Sequence, residues 1–343
     1  MKSILLTGIR EMALCETPMP SIQEGTDVLM KIEQVGVCGS DVHYYETGRI
    51  GDQIVEFPFA LGHECAATVE AVGSDVTRVK PGDRIAVDPA MPCFACDQCL
   101  SGREHTCRKL RFLGCPGQAE GCLGEYLVMP EASCFLLGSL SFTQGVLCEP
   151  LAIGVYAAQQ AGVKEGMSVA MLGAGPIGLS CQVSAMALGA ADCLVTDLIP
   201  ERLEMARRHG ASWAGSPEQQ DIVVEILRQH PEGVDVVFEC AGQQETVDHG
   251  VSLLKPGGKL MLIGIPRESV ISLNIHEARR REVTVVNVRR QNQCTQTAID
   301  WIQEGRLQVD FMRTHQFELE KTQDAFELVV GYREGVMKAI VEF

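Results

Sequence analysis

Hydrophobic and polar positions follow a strand-like pattern in the first part of the chain. Residues 1–150 contain short apolar runs separated by turns rich in Gly and Pro, such as MKSILLTG, DVLMKIEQVGV, CAATVEAVG and GDRIAVDP. Short runs bounded by turn residues are typical of β-strands in a small barrel. We therefore predict a barrel-like β domain that carries long functional loops.

After residue 150, strand runs alternate with helical patterns. The run VAMLGAG precedes the helical pattern PIGLSCQVSAMALG, and CLVTD precedes a helix that Pro200 opens. Strict alternation of strand and helix predicts a doubly wound parallel α/β sheet. Two more helical patterns, TQTAIDWIQEG and TQDAFELVVGY, and a last strand, KAIVEF, are expected to return to the first domain.

These patterns predict two domains in the chain of 343 residues. A catalytic domain would comprise residues 1–150 and 289–343, and a cofactor domain, residues 151–288, would be inserted into it. The length agrees with this division, since a typical domain has roughly 150 residues.

Composition excludes several classes of function. A formal net charge of −16 argues against general affinity for nucleic acid or anionic membrane. No apolar segment approaches the roughly 18 residues that a membrane helix needs, and the first residues lack the apolar core of a secretion signal. We therefore expect a cytoplasmic protein with no nucleic-acid or membrane partner. The odd number of cysteines, 15, argues against a disulfide framework.

A glycine motif lies between the strand and the helix that open the second domain. Gly173, Gly175 and Gly178 fit G-x-G-x-x-G, with Pro176 and Ile177 between the last two glycines. Such a turn lets the backbone approach a pyrophosphate at a helix N-terminus, although it also serves compact packing alone.

An acidic residue follows the motif at the distance typical of nucleotide sites. Asp197 ends the next strand, where a carboxylate accepts hydrogen bonds from ribose hydroxyls and repels a 2′-phosphate. It therefore favours NAD over NADP, although it could instead cap the helix at Pro200. The base Arg202 nearby could serve either cofactor.

Four cysteines with short spacing predict a structural metal site. Cys93, Cys96, Cys99 and Cys107 form C-x2-C-x2-C-x7-C in a segment crowded with turn residues. Four converging thiolates close a tetrahedral shell around zinc and leave no place for water. Such an ion would staple a loop with little core of its own. The alternatives are coincidental buried cysteines and an iron–sulfur cluster.

A second set of metal-ligand residue types is spread more widely, as Cys38, His63, Glu64 and Glu149. No local spacing rule joins them, so spacing alone does not identify a site.

Five tracts, in their order along the chain, resemble the medium-chain zinc-dependent alcohol dehydrogenase family. They are GVCGSDVHYYETGRIG, LGHECAATVEAVG, KPGDRIAV, CEPLAIGVYA and GAGPIG. The tract with Tyr44, together with Glu149 and Pro150, is most similar to the sorbitol (polyol) dehydrogenase branch. The resemblance covers essentially the whole chain and implies a Rossmann domain inserted in a GroES-like β-barrel catalytic domain with a structural zinc lobe.

The resemblance also implies a catalytic zinc. Cys38 and His63 match the family's zinc ligands, Glu64 matches the acid that completes the sphere in sorbitol dehydrogenases, and Glu149 stands where many relatives place a third ligand. Both carboxylates cannot bind throughout, because catalysis needs an open coordination position. We therefore expect Cys38 and His63 to be permanent ligands, with Glu64 and Glu149 exchanging or sharing the third position.

Further residues match family positions around the substrate. Ser40 and His43 match a relay that carries the alcohol proton outward through the cofactor ribose, although they could be an ordinary loop serine and an exposed histidine. The positions that line the polyol pocket are Tyr44, Phe112, Glu149 and Arg289, although Arg289 could instead bind a cofactor phosphate. Arg290 and Cys115 depart from the aromatic and hydroxyl residues expected there.

The resemblance implies that the chain transfers hydride from a secondary alcohol of a polyol, such as sorbitol or xylitol, to NAD and produces a ketose. Zinc would favour the ionised alcohol, and the nicotinamide would accept the hydride. Alternative substrates are L-threonine, a vicinal diol or a sugar-alcohol phosphate, and a noncatalytic nucleotide-binding protein is an alternative of another class. A homodimer or homotetramer, paired through the edge strand of the cofactor sheet, is also expected.

Overall fold

The computed structural model describes all residues, 1–343, and their packing divides them into two compact units. The first unit consists of Met1–Glu149 and Ile299–Phe343, and the second consists of Pro150–Ala298. The return to the first unit therefore begins at residue 299 by packing, whereas the sequence pattern placed it at residue 289. None of the helices combines the length and apolarity needed to span a membrane.

Short strands dominate the first unit, as the sequence predicts. Up to residue 136 they are β1 (Lys2–Gly8), β2 (Glu11–Glu16), β3 (Asp27–Gly36), β4 (Arg49–Ile50), β5 (Gln53–Ile54), β6 (Glu64–Val72), β7 (Arg84–Val87), β8 (Ala90–Met91), β9 (Arg111–Phe112), β10 (Tyr126–Pro130) and β11 (Cys134–Leu136). Helices α1 (Gly39–Thr47) and α2 (Asp97–Leu100) lie between them, and α3 (Phe142–Ala161) runs from the first unit into the second.

The second unit alternates strands and helices. Its strands are β12 (Ser168–Leu172), β13 (Asp192–Thr196), β14 (Trp213–Gly215), β15 (Val234–Glu239), β16 (Leu254–Leu262) and β17 (Thr284–Asn287). Its helices are α4 (Pro176–Ala187), α5 (Pro200–Arg208), α6 (Ile222–Gln229), α7 (Gln244–Leu253) and α8 (Ile275–Arg280).

The last part of the chain completes the first unit. Helix α9 (Thr295–Gln303) crosses the boundary, and β18 (Arg313–Glu318), α10 (Thr322–Val330) and β19 (Lys338–Glu342) follow. Short 3-10 helices lie at Glu104–Thr106, Glu131–Ser133, Asp310–Met312, Leu319–Lys321 and Arg333–Gly335.

Strand β3 organises the main sheet of the first unit. Val28, Met30 and Ile32 are fully buried whereas Lys31 between them is exposed, because successive strand residues face opposite sides. One edge of β3 pairs with β6, and its other edge is shared by β10 and β19. The sheet runs in the order β11-β7-β6-β3-β19-β18, so the last strand of the chain lies beside β3.

The second unit contains a six-stranded sheet in the order β14-β13-β12-β15-β16-β17, with every pair parallel. This is the doubly wound Rossmann order, whose direction reverses between β12 and β15. Nucleotides bind at the carboxyl ends of the strands at such a reversal. The predicted doubly wound sheet is confirmed, and β17 is one of its edge strands.

Candidate active site

Three candidate metal ligands meet where β3 ends and β6 begins. Gly36 at the end of β3 pairs with Glu64 at the start of β6, and Cys38 follows Gly36 by two residues. This register brings one ligand atom each of Cys38, His63 and Glu64 within 4.8 Å of one another. A thiol, an imidazole and a carboxylate are a donor set that suits zinc with one position left open. The residues present therefore fit a catalytic zinc.

A buried carboxylate that sequence reasoning missed orients His63. Asp41, in the first turn of α1, is fully buried, and its Oδ1 lies 3.3 Å from His63 Nδ1. Burial alone would lower the pKa of His63, but the charges of Asp41 and Cys38 outweigh it and raise that pKa well above its usual range. Partners of this type fix the ring orientation of metal-binding histidines. In the sequence, the position of Asp41 three residues after Cys38 was the one feature that could have indicated this role.

A second missed residue, Lys338, is paired with Glu64. Its Nζ donates to both Glu64 carboxylate oxygens, at 2.8 and 2.7 Å, and to the Val37 carbonyl at 3.3 Å. Both side chains are only 1% exposed. Burial would lower the pKa of Lys338, but the charge of Glu64 prevails and raises it. A lone lysine heading the apolar run AIV was the only signal in the sequence.

Glu149 is buried in the same unit but does not belong to the set of three converging ligands. Burial raises the pKa of its carboxyl group to about 7, the nearby charge of His63 opposes this shift, and the charge of Glu64 reinforces it. A carboxyl group with a pKa near neutrality can both accept and release a proton. In this structure Glu64 is therefore the acid that lies with Cys38 and His63.

The other first-unit candidates surround the same cluster. Ser40 Oγ donates to Cys38 Sγ at 3.4 Å, and His43 lies on α1. The buried Phe112 ring lies 5.6 Å from the His63 ring between centroids. The buried Tyr44 hydroxyl donates to Gln53 Oε1 at 3.0 Å.

The four clustered cysteines converge as their spacing predicts. Their sulfur atoms lie within 4.8 Å of one another, with separations of 3.6 Å for Cys96–Cys99, 3.9 Å for Cys96–Cys107 and 3.4 Å for Cys93–Cys107. Zinc–sulfur bonds of about 2.3 Å in a tetrahedron place sulfurs about 3.8 Å apart. The backbone N–H groups of Cys99 and Arg108 lower the pKa of the Cys96 thiol to about 6. The cluster therefore fits a closed zinc site.

The glycine motif of the second unit forms a tight turn between β12 and α4. Gly173 has φ of 104°, a conformation that favours glycine, and Pro176 is the first residue of α4. A Cβ on Gly178 would overlap the Gly173 carbonyl oxygen, so this position needs the close packing that only glycine permits. Ile177 follows within the first turn of α4. The helix therefore presents its free N-terminal amides beside the turn.

Two further cofactor candidates lie beside this turn, whereas Arg289 lies elsewhere in the second unit. Asp197 follows β13, and its carboxylate accepts from the backbone N–H of Ala174 at 2.7 Å and of Ile199 at 2.9 Å. Arg202 is buried on α5, and its Nη1 is 3.5 Å from the place that a Cβ on Gly175 would take. Arg289 is exposed after β17.

Comparison with known proteins defines the class. The chain matches the family models for the alcohol dehydrogenase GroES-like domain over residues 24–139 and for zinc-binding dehydrogenases over residues 176–304. The fold predicted from the sequence, a Rossmann sheet combined with a GroES-like domain, is therefore confirmed. The protein is a zinc-binding dehydrogenase.

Individual relatives narrow this class. The chain is 36% identical to a sorbitol dehydrogenase of Bacillus subtilis over 343 residues, which cover 99% of this chain and 97% of the relative. An Escherichia coli oxidoreductase/dehydrogenase of unknown specificity has a TM-score of 0.94 and 34% identity over 99% of this chain and 98% of its own. A zinc-binding dehydrogenase structure from Sinorhizobium meliloti 1021, bound to NADP, has a TM-score of 0.91 and 30% identity, covering 100% and 99%.

The chain belongs to the medium-chain zinc-dependent alcohol dehydrogenase family, in its sorbitol (polyol) dehydrogenase branch. The predicted enzyme class is confirmed, and the alternative of a noncatalytic nucleotide-binding protein is set aside.

Proposed function

We propose that this enzyme oxidises a secondary hydroxyl group of an open-chain polyol, such as sorbitol or xylitol, to a ketose and passes the hydride to NAD. The observation that carries the proposal is the convergence of Cys38, His63 and Glu64 within 4.8 Å. The identity of 36% with the Bacillus subtilis sorbitol dehydrogenase supports the choice of a polyol.

The proposed metal sites follow from the two clusters of donor atoms. Cys38 and His63 would hold the catalytic zinc throughout, with Glu64 and Glu149 exchanging or sharing the third position. The pairing of both Glu64 oxygens with Lys338 supports exchange, because an acid with a competing buried partner can leave a metal without remaining unpaired. The four clustered cysteines would hold the structural zinc. When bound, the catalytic zinc supplies Lewis acidity and the nicotinamide supplies a hydride acceptor.

The side chains around this site have separate proposed roles in metal binding, proton transfer and substrate contact. Asp41 orients the His63 ring through Nδ1, which would leave the other ring nitrogen available to hold the zinc. Glu149, with a pKa of about 7, can accept a proton near neutral pH. Ser40 and His43 would carry the proton of the alcohol outward. Tyr44, Phe112 and Arg289 would contact the substrate.

The first test replaces one proposed zinc ligand. Cys38→Ser is expected to abolish turnover of sorbitol, because the ion that favours the ionised alcohol is lost, and to leave the circular dichroism spectrum unchanged. Activity is measured as NADH absorbance over a panel of sugar alcohols, diols, L-threonine and sugar-alcohol phosphates. Equal turnover by Cys38→Ser and the parent would remove the catalytic assignment. A parent active only on another substrate class would replace the polyol.

The choice of NAD rests on Asp197. A carboxylate that follows β13 repels a 2′-phosphate, whereas the nearby Arg202 could bind one, and the Sinorhizobium meliloti relative is bound to NADP. Asp197→Ala is expected to lower kcat/KM with NAD and to raise it with NADP, measured by the initial rate with each cofactor. An unchanged ratio would remove the ribose role of Asp197.

Two further proposals concern the surroundings of the enzyme. We propose a homodimer or homotetramer that pairs through β17, an edge strand of the cofactor sheet. A cytoplasmic location also stays a prediction.

A further inference from the structure

A small polar cluster lies beside the candidate metal site. We name Tyr44, Gln53 and Cys115 the Gln53 cluster. The Tyr44 hydroxyl donates to Gln53 Oε1 at 3.0 Å, and Gln53 Nε2 donates to Cys115 Sγ at 2.8 Å. Tyr44 and Cys115 are 4% and 3% exposed, whereas Gln53 is half-buried. Gln53 is therefore the most exposed member of this cluster.

Local backbone geometry places Gln53 over Tyr44. Gly48 caps helix α1 at its C-terminus, and its φ of 69° reverses the chain after the helix. Strands β4 and β5 then form a two-stranded hairpin in which Ile50 pairs with Gln53. The hairpin is closed by a hydrogen bond from the Val55 N–H to the Gly48 carbonyl at 2.8 Å. Gln53 is thus held by a short ribbon that folds back on α1.

Two connections join the Gln53 cluster to the candidate zinc ligands. Tyr44 lies three residues after Asp41 on α1, so both side chains lie on one face of the helix, and Asp41 is the partner of His63. Cys115 donates its backbone N–H to the Phe112 carbonyl at 3.2 Å, and the Phe112 ring packs near the His63 ring. The cluster is therefore a neighbour of the metal site within the same unit.

The amide of Gln53 has one hydrogen left for a ligand. A glutamine amide carries two N–H donors. In the structure Nε2 has Cys115 Sγ as its protein acceptor, so the second hydrogen has no protein partner. Its oxygen is occupied by the Tyr44 hydroxyl, which holds the amide plane in place. A donor that is held in this way, beside the reacting centre, suits a hydroxyl group of the substrate.

We propose that Gln53 is a specificity-determining residue whose amide donates a hydrogen bond to a substrate hydroxyl group other than the one oxidised. This inference rests on the proposed function and names the residue by which polyols are preferred over monohydric alcohols. A site that hydrogen-bonds a substrate hydroxyl rejects an analogue without it, because the donor of the protein is then left unpaired. Cys115 and Tyr44 act as positioning residues that orient the amide.

The test measures polyol binding apart from turnover. The holoenzyme is saturated with NADH, which cannot accept hydride, and titrated with the best polyol substrate by calorimetry. Gln53→Leu removes the donor at similar volume and is expected to raise the dissociation constant for the polyol, and its KM, roughly tenfold. We expect kcat to stay within threefold, and the dissociation constant for NADH and the unfolding temperature to stay unchanged. Asp52→Asn, an exposed neighbour on the same hairpin, is the matched control and should change none of these values.

A second variant separates the donor from the shape of the side chain. Gln53→Glu still accepts from Tyr44 but cannot donate when ionised, so it should raise the dissociation constant for the polyol as Gln53→Leu does. A polyol dissociation constant that is unchanged in both variants overturns the inference while the proposed function stands. A loss shared equally with NADH affinity or unfolding temperature also overturns it, since it indicates a structural role. A parent that oxidises no polyol overturns both proposals.

Discussion

Lys338 illustrates how a single residue can determine the state of a functional carboxylate. Its ammonium group is buried between Glu64 and the Val37 carbonyl, immediately before Cys38. A buried ion pair adds little net stability when complete, but the loss of one partner leaves an uncompensated buried charge. Glu64 therefore depends on Lys338 whenever it is not bound to a metal.

The consequence can be measured as a change in stability. Lys338→Met is expected to lower the free energy of unfolding by about 3–5 kcal/mol, because Glu64 remains buried without its partner. Urea unfolding of the metal-depleted protein provides the value. Lys321→Met removes an exposed pair with Asp324 and should have little effect, since water screens such pairs. Equal effects of the two substitutions would contradict the role of the buried pair.

At the scale of elements, the turn between β12 and α4 shows how glycines in one motif meet different needs. The site for a Cβ on Gly178 is occupied by the Gly173 carbonyl oxygen, whereas a Cβ on Gly175 would find only Arg202 Nη1, at 3.5 Å. That distance is an ordinary van der Waals contact. Gly178 is therefore needed for packing of the turn, whereas the role we propose for Gly175 is to let a pyrophosphate approach the backbone.

Two alanine substitutions distinguish these needs. Gly175→Ala is expected to keep the unfolding temperature of the parent and to raise the dissociation constant for NADH more than tenfold, because its methyl group excludes the phosphates. Gly178→Ala is expected to lower the unfolding temperature as well, because the turn must open. Thermal unfolding and fluorescence titration with NADH measure the two effects. Full NADH affinity in Gly175→Ala would refute phosphate binding at this turn.

At the scale of the whole molecule, the two proposed metal sites differ in what they contribute to stability. The lobe with the four clustered cysteines exposes apolar side chains, since Phe94 is 56% and Leu100 is 76% exposed. Such a segment has little core, so a metal would replace the missing hydrophobic packing. The site at Cys38 lies instead against the main sheet, which does not need an ion to pack.

Metal analysis and unfolding therefore separate the two sites. We expect about two zinc ions per chain in the parent and about one in both Cys38→Ser and Cys96→Ser. Only Cys96→Ser should lower the unfolding temperature and increase proteolysis within residues 93–107, because the lobe loses the metal ion that crosslinks it. Elemental analysis, thermal unfolding and limited proteolysis provide the three measurements. A parent with one ion or none would contradict the assignment of both sites.

Local patterns in the sequence predicted much of the fold. The helix at Pro200, the strand CLVTD and the final strand KAIVEF were visible because side-chain periodicity and proline placement act over a few residues. The sequence pattern did not indicate that the chain returns to the first unit at residue 299, since α9 is one continuous amphipathic helix across that boundary.

The four cysteines of the lobe and the glycine turn could be identified from the chain alone, because their chemistry depends on residues that are neighbours along the backbone. The position of Cys38 beside His63 and Glu64 required the pairing of β3 with β6, and that of Lys338 required the pairing of β3 with β19. Those pairings bring distant segments together around Gly36. Local propensity cannot predict these strand pairings, because they form when residues far apart in the sequence are buried in a shared core.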